Sequence, residues 1–576
     1  MLPRDIDAIT FEVIRNGLDT VVDEMALTVM RTAHSGIVKD AMDYSTAFCN
    51  HKGEVVAQGL TILMHLGSFP AAVNSVINKF GDSISEGDVF ILNDPYLSGG
   101  IHLPDIYVIL PVFVEDNLEG FACVIAHHTD VGGIVPGSNS TNSTEIYQEG
   151  LRIPTLKLYH QDTPVDAVFD FIQANVRVPS KVLGDLRAQI AAVKTGQRGF
   201  LEIIERYGID IVRDHMRELI NYSEYLAQKE IVDLPDGTYK STGYVDADNT
   251  PEGPMVIKVA LTIINNRVTV DFSGSSKQMK AGINSPLPFT KASVYGALRL
   301  VMHPDIPNSE GYTRLIEVVA PPGTVVNPVS PAPCGARGIT GFRVMDTVLG
   351  ALAKAVPSKV PADGEGGNTI ISIGGHIGEN GFAFVDLFSG ARGARPSSDG
   401  PDGVAHPASN NSNTPVEIAE VESPIRIEEY GLIPDSGGVG KYRGGLSHVR
   451  TVLCLAEEAL LQLRSDKRRF LPFGLQGGGK GSPSSNILNQ GTDQFLLPTM
   501  GTTDMKKGDF IRHEMASGGG WGNPLERDPE MVLSDILDEK VTVEHALKFY
   551  GVVFNRENKV VDLVATKKQR QMMNKN

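Results

Sequence analysis

Short apolar runs separated by glycine, proline, asparagine and aspartate constrain the fold of this chain more than any other feature. Between about residues 47 and 134 the chain reads VVAQG, VFILND, IYVILPVFV and FACVIAH in succession. Apolar runs of roughly four to eight residues between turn formers are typical of strands. The 60 glycines and 34 prolines among the 576 residues indicate many turns and short strands over most of the chain. We therefore predict strand-rich structure rather than a helical array.

Helical periodicity is confined to a few segments. Residues 5–33 carry apolar side chains at the spacing of one long helix, and residues 181–230 return to that spacing. A shorter helix is predicted at 342–356, where Pro357 ends it. The segments PEMVLSDILDE and TVEHALKFYGV predict a last pair of helices near the C-terminus.

The fold class that follows is α+β and multidomain, because 576 residues exceed what a single ordinary core accommodates. We expect mixed strand-rich domains, with a long N-terminal helix and a helical segment near 181–230. The predicted division is 1–180 as an N-terminal α/β region, 181–235 as a helical segment, 236–410 as a β-rich α+β domain, 411–522 as a glycine-rich β domain, and 523–576 as C-terminal helices and tail.

Charge and composition exclude several classes of protein. A net charge of -17 argues against a nucleic-acid surface, because phosphate binding needs clustered lysine and arginine. The sequence contains no run of 18 apolar residues, so we predict no membrane span. The start of the chain lacks the apolar core of a signal peptide. Four widely spaced cysteines predict neither a disulfide framework nor a cysteine-zinc site. We expect a cytoplasmic protein.

Two clusters of histidine and aspartate are the strongest candidates for a site. NDPYLSGGIHLPDIYVI, residues 93–109, sets His102 and Asp105 three residues apart, with a proline between them that favours a turn. VIAHHTDVGG brings His127, His128 and Asp130 to the end of an apolar strand, where glycines follow. Imidazole and carboxylate without thiolate suit a divalent ion such as zinc, manganese or iron.

A further carboxylate can come from KDAMDYSTAF, where Asp43 precedes a strand-like run. The competing interpretation is that His102 caps a turn and that His127 is a hydrogen-bonded core histidine. For one histidine we would prefer that interpretation. Two histidines and three carboxylates beside strand ends favour a metal site, although HxxD alone is a loose pattern.

The other motifs give weaker evidence for a functional site. GLQGGGKGS, residues 474–482, has GxxxxGK spacing but lacks the following Ser or Thr and the helix that a phosphate-binding loop needs. GGVGKYRGG misses GxGxxG, and no GxSxG is present. In CGARGITGFRVMD, Arg337 and Arg343 can bind an anion, or can form salt bridges in this acidic protein. Cys334 has no base that would activate it.

The quoted motifs, taken together, resemble those of the hydantoinase B/oxoprolinase family. The matching stretches include RTAHSGIVKDAMDYSTAF, NDPYLSGGIHLPDI, AHHTDVGG, DFSGSSKQMKAGIN and SGGGWGNPLERDPEMV, and they run nearly from end to end. This family comprises B subunits of ATP-dependent hydantoinases and lactamases, the C-terminal half of oxoprolinases, and related subunits of acetone and acetophenone carboxylases.

The resemblance implies a metal-binding N-terminal region whose ligands are Asp43, His102, Asp105 and His127. It selects His127 over His128, and it implies that His128 and Asp130 serve catalysis beside the metal. Two histidines with two aspartates make zinc the first expectation, with manganese or iron as alternatives. ATP and magnesium would be held by an A-type ATP-binding subunit, and the two chains would form an (αβ)2 heterotetramer.

The implied reaction is ATP-dependent opening of a cyclic amide such as a lactam, hydantoin or oxoproline. The partner would phosphorylate the amide oxygen, and water bound by the metal of this chain would attack the carbon, with Asp130 taking the proton. One alternative is a subunit of an ATP-dependent ketone carboxylase. Another is a structural partner without catalytic function, whose metal only folds the N-terminal region.

Overall fold

A computed structural model describes residues 7–574 apart from positions 60, 61, 249, 252, 379 and 410. The architecture is α+β, with two four-stranded sheets, a seven-stranded and a five-stranded sheet and one two-stranded ribbon among these residues. This confirms the predicted fold class. The boundaries of the five predicted segments stay predictions. No helix in the described part of the chain is both long and apolar enough to cross a membrane.

The largest sheet holds the N-terminal region together. Its seven strands are antiparallel in the order β2-β1-β5-β4-β3-β6-β7. The strands are β1 Tyr44–Asn50, β2 Val55–Gln58, β3 Val89–Leu92, β4 Asp105–Val114, β5 Asn117–His127, β6 Leu156–His160 and β7 Thr163–Pro164. Phe48, Ala122 and Val124 pack into one core, whereas Ala47, Phe121 and Cys123 pack into another. Burial on both faces explains why these strands are continuous apolar runs.

Helices cover this sheet. They are α1 Ala8–Thr32, α2 Gly36–Lys39, α3 Leu63–Leu66, α4 Phe69–Phe80, α5 Asp166–Asn175, α6 Pro179–Tyr207 and α7 Ile209–Val232. Helix α1 begins where the Asp7 carboxylate accepts a hydrogen bond of 2.8 Å from the Thr10 amide. The predicted helix at 5–33 is thus confirmed, although its residues 5 and 6 lie outside the described part. The helical segment near 181–230 is two helices, which meet at Gly208 with φ +81°.

The middle of the chain forms a second sheet with three helices. Its strand order is β11-β10-β9-β8, and β10 pairs with β11 in parallel. The elements are β8 Gly237–Val245, β9 Met255–Ile264, β10 Arg267–Asp271, α8 Leu287–Arg299, α9 Glu310–Thr313, β11 Ile316–Val319 and α10 Arg337–Ala355. Helix α10 is buried almost throughout, and it begins five residues earlier than the predicted start at 342. Gly338 and Gly341 are tolerated there because Asn368 and Phe289 fill the space beside them.

Two sheets that pack face to face make up most of the C-terminal half. One has the order β13-β12-β16-β19 and the other β14-β15-β20-β17-β18, and they share one apolar core. The elements are β12 Ile370–Ile377, β13 Asn380–Leu387, α11 Val416–Glu422, β14 Ile425–Ile433, β15 Ser447–Cys454, β16 Glu458–Arg464, β17 Ser485–Leu488, β18 Phe495–Leu496, β19 Met500–Lys506 and β20 Phe510–Glu514.

A small unit at the end of the described chain has a core of its own. It contains α12 Pro529–Leu537, α13 Val543–Tyr550, β21 Phe554–Asn555, β22 Val560–Val561 and α14 Leu563–Met573. The first two helices correspond to the pair predicted from PEMVLSDILDE and TVEHALKFYGV. The glycine-rich 474–482 segment is followed by the strand β17 and not by a helix. It therefore lacks the helix N-terminus of a phosphate-binding loop, as the sequence indicated.

Candidate metal centre

Three residues from the two histidine-aspartate clusters meet in the interior. His102, Asp105 and His127 can each offer a ligand atom, and these atoms lie within 4.8 Å of one another. His102 Nε2 lies 3.0 Å from Asp105 Oδ2. The ring centroids of the two histidines are 5.1 Å apart. The clusters of residues 93–109 and 124–133 therefore come together in space.

The sheet places these side chains. Asp105 is the first residue of β4 and His127 the last of β5, and antiparallel pairing puts them directly opposite each other. His102 lies in the preceding turn, which the Asp105 amide closes with a 3.2 Å hydrogen bond to the His102 carbonyl oxygen. The HxxD spacing thus works because a turn brings residue 102 back over the strand end.

The donor atoms suit a divalent cation. His102 Nε2, Asp105 Oδ1 and His127 Nδ1 are buried, and each lacks a hydrogen-bond partner among the described residues. Buried polar atoms nearly always have a hydrogen-bond partner, so three such atoms without one in the same place fit the ligand atoms of a cation. His102 Nδ1 donates to the Gly335 carbonyl oxygen at 2.9 Å. That bond fixes the tautomer, so Nε2 carries the lone pair that a metal needs.

Burial also keeps both histidines neutral. It lowers the pKa of His102 to about 4, where the nearby Arg337 has the same effect. Burial lowers the pKa of His127 well below its ordinary value. Neutral imidazole is the form that binds a metal. The residues therefore fit a divalent ion at neutral pH without prior loss of a proton.

Asp43 lies beside this group and contacts it through a histidine that we did not predict. His65 Nε2 is 3.7 Å from Asp43 Oδ1 and 3.8 Å from Asp105 Oδ2. The Asp43 carbonyl oxygen accepts from the His127 amide at 2.9 Å. Burial, followed by the charge of Asp105, raises the pKa of Asp43 to about 8. Asp43 as a metal ligand stays a prediction. His65 follows an apolar run, ILM, that carries no site signal.

Two arginines from the distant half of the chain complete the surroundings. Arg337 donates to Asp105 and lies over the Phe289 ring, 4.4 Å from its centroid. Arg464, the last residue of β16, donates to Asn139 Oδ1 at 3.3 Å and to Asn368 Oδ1 at 2.6 Å. Arg337 is one of two arginines for which the sequence predicts either an anion site or a salt bridge, and it forms a salt bridge with Asp105. We did not predict a role for Arg464.

Asn139 links Arg464 to the histidines. Its Nδ2 lies 3.5 Å from His127 Nε2 and donates to the Gly137 carbonyl oxygen at 2.7 Å. Burial lowers the pKa of Arg464 to about 9, and the proximity of Arg337 contributes. A cavity of about 30 Å³ borders the centre and is lined by Asp43, His65, His127, Arg337 and Arg464, among others. Positive charge therefore faces a small space beside the donors.

His128 and Asp130 make contacts that hold the local backbone. His128 Nε2 is 2.9 Å from Gln189 Oε1, and Gln189 Nε2 donates to the Ile106 carbonyl oxygen at 2.8 Å. The Asp130 carboxylate accepts from the amides of Gly132, Gly137 and Arg177 and from the Arg177 side chain, at 2.9 to 3.1 Å. Both of its oxygens are thus engaged. The catalytic roles expected for His128 and Asp130 stay predictions.

A buried glutamate supports His102 from behind. Glu149 accepts from the amides of Gly335 and Cys334 at 2.7 and 2.9 Å. The carbonyl oxygen of Gly335 accepts the hydrogen bond from His102 Nδ1. Burial raises the pKa of Glu149 to about 8. Glu149 follows a single 3-10 turn in the segment IYQEGL, and one acidic residue in such a segment gives no indication of this role.

Comparison with known proteins identifies the family of the chain. A model of the hydantoinase B/oxoprolinase family matches residues 7–524. The B subunit of a putative D-/L-hydantoinase from Pseudomonas sp. strain NS671 is 34% identical over 588 residues, which cover 99% of this chain and 99% of that protein.

Solved structures share the fold. The crystal structure of an ATP-dependent caprolactamase from Pseudomonas jessenii matches with a TM-score of 0.91 at 30% identity, over 99% of this chain and 100% of that chain. A nucleotide-free acetone carboxylase structure has a TM-score of 0.91 at 21% identity, over 99% of this chain and 83% of that chain. The second likeness concerns the fold alone. Together with the family match, these findings show that the chain belongs to the hydantoinase B/oxoprolinase family.

Proposed function

We propose that this chain is the metal-binding subunit of an ATP-dependent hydrolase that opens cyclic amides such as lactams, hydantoins or oxoproline. The observation that carries the proposal is the buried His102, Asp105 and His127 group, whose donor atoms lack partners and face two arginines. The hydantoinase and caprolactamase relatives support the substrate class. The hydantoinase relative is itself one subunit of a larger enzyme, which supports a partner chain for this protein. We take that partner to be an A-type ATP-binding subunit in an (αβ)2 assembly.

The proposed ligands are His102, Asp105 and His127, with Asp43 as a fourth. Zinc is the first choice for this donor set, and manganese or iron are alternatives. When bound, such an ion supplies Lewis acidity toward an oxygen of water or of the substrate. His102 is held for this purpose by its bond to Gly335, because that bond leaves Nε2 free to point at the ion.

Arg464 is the residue best placed to hold an anionic substrate. It hydrogen-bonds to amide and carbonyl oxygens of Asn139 and Asn368, and it forms no ion pair among the described residues. Arg337, in contrast, is paired with Asp105. An amide oxygen that the partner has phosphorylated carries negative charge, and a guanidinium can donate two hydrogen bonds to it. We propose that Arg464 holds this phosphoryl group beside the metal ligands.

Asp130 and His128 have a positioning role in this proposal. To accept a proton, Asp130 would have to release hydrogen bonds from Arg177 or from the amides of Gly132 and Gly137. Its contacts instead fix the 130–137 loop, which precedes Asn139. His128 ties the end of β5 to α6 through Gln189. Both residues therefore keep His127 and Asn139 in place.

The test uses the complex of this chain with the partner that copurifies with it. We expect His102→Gln and Asp105→Asn each to lose bound metal and to lose ATP-dependent hydrolysis of caprolactam, hydantoin or 5-oxoproline, because each removes a ligand. Metal content by mass spectrometry and product release are measured together. His303→Gln, at an exposed histidine far along the chain, is the control. Full metal content with full hydrolysis in both ligand variants would show the proposal to be wrong.

A ketone carboxylase subunit is the second candidate, because the acetone carboxylase fold is the same. This chain covers all of the caprolactamase chain but 83% of the carboxylase chain, and that difference in length favours the hydrolase. Incubation of the complex with a ketone, bicarbonate and ATP decides between them. A carboxylated product without lactam hydrolysis would replace the first candidate by the second.

A further inference from the structure

A second cavity, of about 380 Å³, lies beside helix α10. Its lining comes from α10, from residues 358–364, from residues 392–397 and from the neighbourhoods of His406 and Phe473. A volume of this size is within the range of small-molecule sites, which is roughly 300 to 1,000 Å³. The metal ligands do not line it.

One part of the lining carries positive charge without compensation. Arg392 and Arg395 both border the cavity, and neither forms an ion pair within the described residues. Arg392 Nε donates to the Ala405 carbonyl oxygen at 2.6 Å. Burial lowers the pKa of Arg392, and the positive charge of Arg395 lowers it as well. Two neighbouring guanidinium groups of this kind gain free energy from an anion that accepts hydrogen bonds from both.

This arrangement differs from that of three other buried arginines in the same chain. The buried Arg343, Arg450 and Arg527 each contact at least one aspartate. The chain as a whole has a net charge of -17, so carboxylates are abundant. Arg392 and Arg395 nevertheless have no carboxylate partner among the described residues.

Another part of the lining carries an excess of negative charge. Asp346 and Asp363 border the cavity, and Asp466 lies behind them. These three carboxylates share two cations, Arg343 and Lys467. Asp363 Oδ1 is buried and has no hydrogen-bond partner among the described residues. Such an oxygen accepts readily from an ammonium group. Leu349 and Phe473 supply apolar surface to the same cavity.

We propose that this cavity binds a small linear amino acid with separated charges. The carboxylate would lie at Arg392 and Arg395, the ammonium group at Asp363, and the methylene chain against Leu349 and Phe473. The choice of this ligand class rests on the proposed function. Hydrolysis of a lactam breaks the ring C–N bond, adds the hydroxyl of water to the acyl carbon and leaves the nitrogen with the proton. The product therefore carries a carboxylate at one end and an ammonium group at the other.

The cavity lies next to the metal centre. His406, which borders the large cavity, stacks on Phe342 with ring centroids 4.8 Å apart, and Phe342 borders the small cavity at the metal ligands. His406 Nε2 is held 2.8 Å from Asp346 Oδ1. The stacked rings of His406 and Phe342 thus connect the cavity at the metal ligands to the cavity whose charges match those of the product.

The test measures binding to the full chain by calorimetry, without ATP or lactam. The probe is 6-aminohexanoate, the ring-opened form of caprolactam, and hexanoate, hexylamine and inorganic phosphate are the comparison ligands. We expect one molecule of 6-aminohexanoate per chain and affinities at least about tenfold weaker for hexanoate and hexylamine, because each lacks one charge-assisted contact. Equal binding of hexanoate, or binding of phosphate alone, would overturn the zwitterionic ligand.

Three variants locate the site. Arg395→Gln, at an exposed position, and Arg392→Gln should each weaken binding by about tenfold or more, and Asp363→Asn should weaken 6-aminohexanoate but not hexanoate. Arg198→Gln, an exposed arginine on α6, is the matched control. If Arg392→Gln or Asp363→Asn does not fold, Arg395→Gln decides. Unchanged affinity in Arg395→Gln overturns the proposal. If the complex hydrolyses lactam but the chain does not bind 6-aminohexanoate, the binding proposal is wrong and the proposed function stands. If the chain binds 6-aminohexanoate but the complex hydrolyses no lactam, only the proposed function is contradicted.

Discussion

Glu149 shows how one buried side chain can control a residue that it does not touch. Its carboxyl group accepts from the Gly335 amide at 2.7 Å, and the carbonyl oxygen of Gly335 orients His102. Because burial raises the pKa of Glu149 to about 8, the group is protonated in the folded chain over a pH range in which it is ionised in the unfolded chain.

The free energy of unfolding therefore depends on pH through Glu149. A raised pKa means that the folded state binds more protons, so the stabilisation is complete below the unfolded pKa and is lost as pH rises toward about 8. We expect Glu149→Gln to flatten the dependence of the free energy of unfolding on pH, by up to about 1.4 kcal/mol per pH unit between these limits. Urea unfolding at several pH values measures it. Glu205→Gln, at an exposed position, should leave the slope as it is; an unchanged slope in Glu149→Gln would contradict the prediction.

The candidate metal ligands, which lie near a turn or a strand end, could be predicted from the sequence better than the residues that surround them. His102 and Asp105 are separated by one turn, and His127 ends an apolar strand, so local pattern sufficed to propose them together. His65, Arg337 and Arg464 come from three other segments, and only the packing of the sheets brings them to the same place. No spacing in the sequence records such contacts.

Helices α1 and α6 pack closely because glycines remove side chains at their contact. A Cβ at Gly196 would overlap Met25 of α1 and lie 3.1 Å from the Cβ of Ala122 on β5. A Cβ at Gly184 would overlap the ring of His34. The contact thus fixes the distance between α1, α6 and the sheet whose strand ends carry the proposed metal ligands.

We expect Gly196→Val to destabilise the chain by about 1 to 3 kcal/mol, because the added methyl groups have to displace Met25 or Ala122 in a close-packed core. Arg198→Val, two residues along the same helix and exposed, introduces the same side chain without the overlap and serves as the control. Thermal unfolding compares the two. Equal melting temperatures for both variants would mean that the helices adapt without cost.

Element boundaries were predicted where one physical signal dominated. The strands of the largest sheet read as continuous apolar runs, because both of their faces are buried, and turn residues end them. Helix α10 begins at Arg337, five residues before the predicted start. Its first turns contain Gly338 and Gly341, which lower helix propensity, and only burial against Phe289 and Asn368 overrides that preference.

The molecule is not uniform in the size of its cores. The unit from α12 to α14 has six buried residues in its own cluster, namely Val532, Val541, Ala546, Tyr550, Val552 and Val561. Its anchors to the remainder include Arg527, which contacts Asp399, and Arg570, which donates to the Arg527 carbonyl oxygen. We expect amides of residues 529–573 to exchange with deuterium much faster than those of β4 and β5, because so small a core opens without global unfolding. Similar protection in both regions would show that the unit unfolds only with the whole chain.

Strand register places two of the proposed metal ligands. Asp105 and His127 are paired across β4 and β5, and ten pairs of residues hold that register. We therefore expect a chelator to abolish lactam hydrolysis while the circular dichroism spectrum stays the same, and added zinc to restore turnover. Loss of the spectrum on chelation would favour the structural-partner alternative, in which binding energy is folding energy.

The depth of the centre sets how fast an ion can be exchanged. His102 and Asp105 have none of their surface exposed, and His127 has 3%. An ion among these donors reaches solvent only when the surrounding wall of side chains opens, so its exchange rate is a rate of protein motion and not of ligand substitution. We therefore expect removal of a bound ion by a chelator, and reloading with zinc, to be slow and limited by motions of the side chains around the centre.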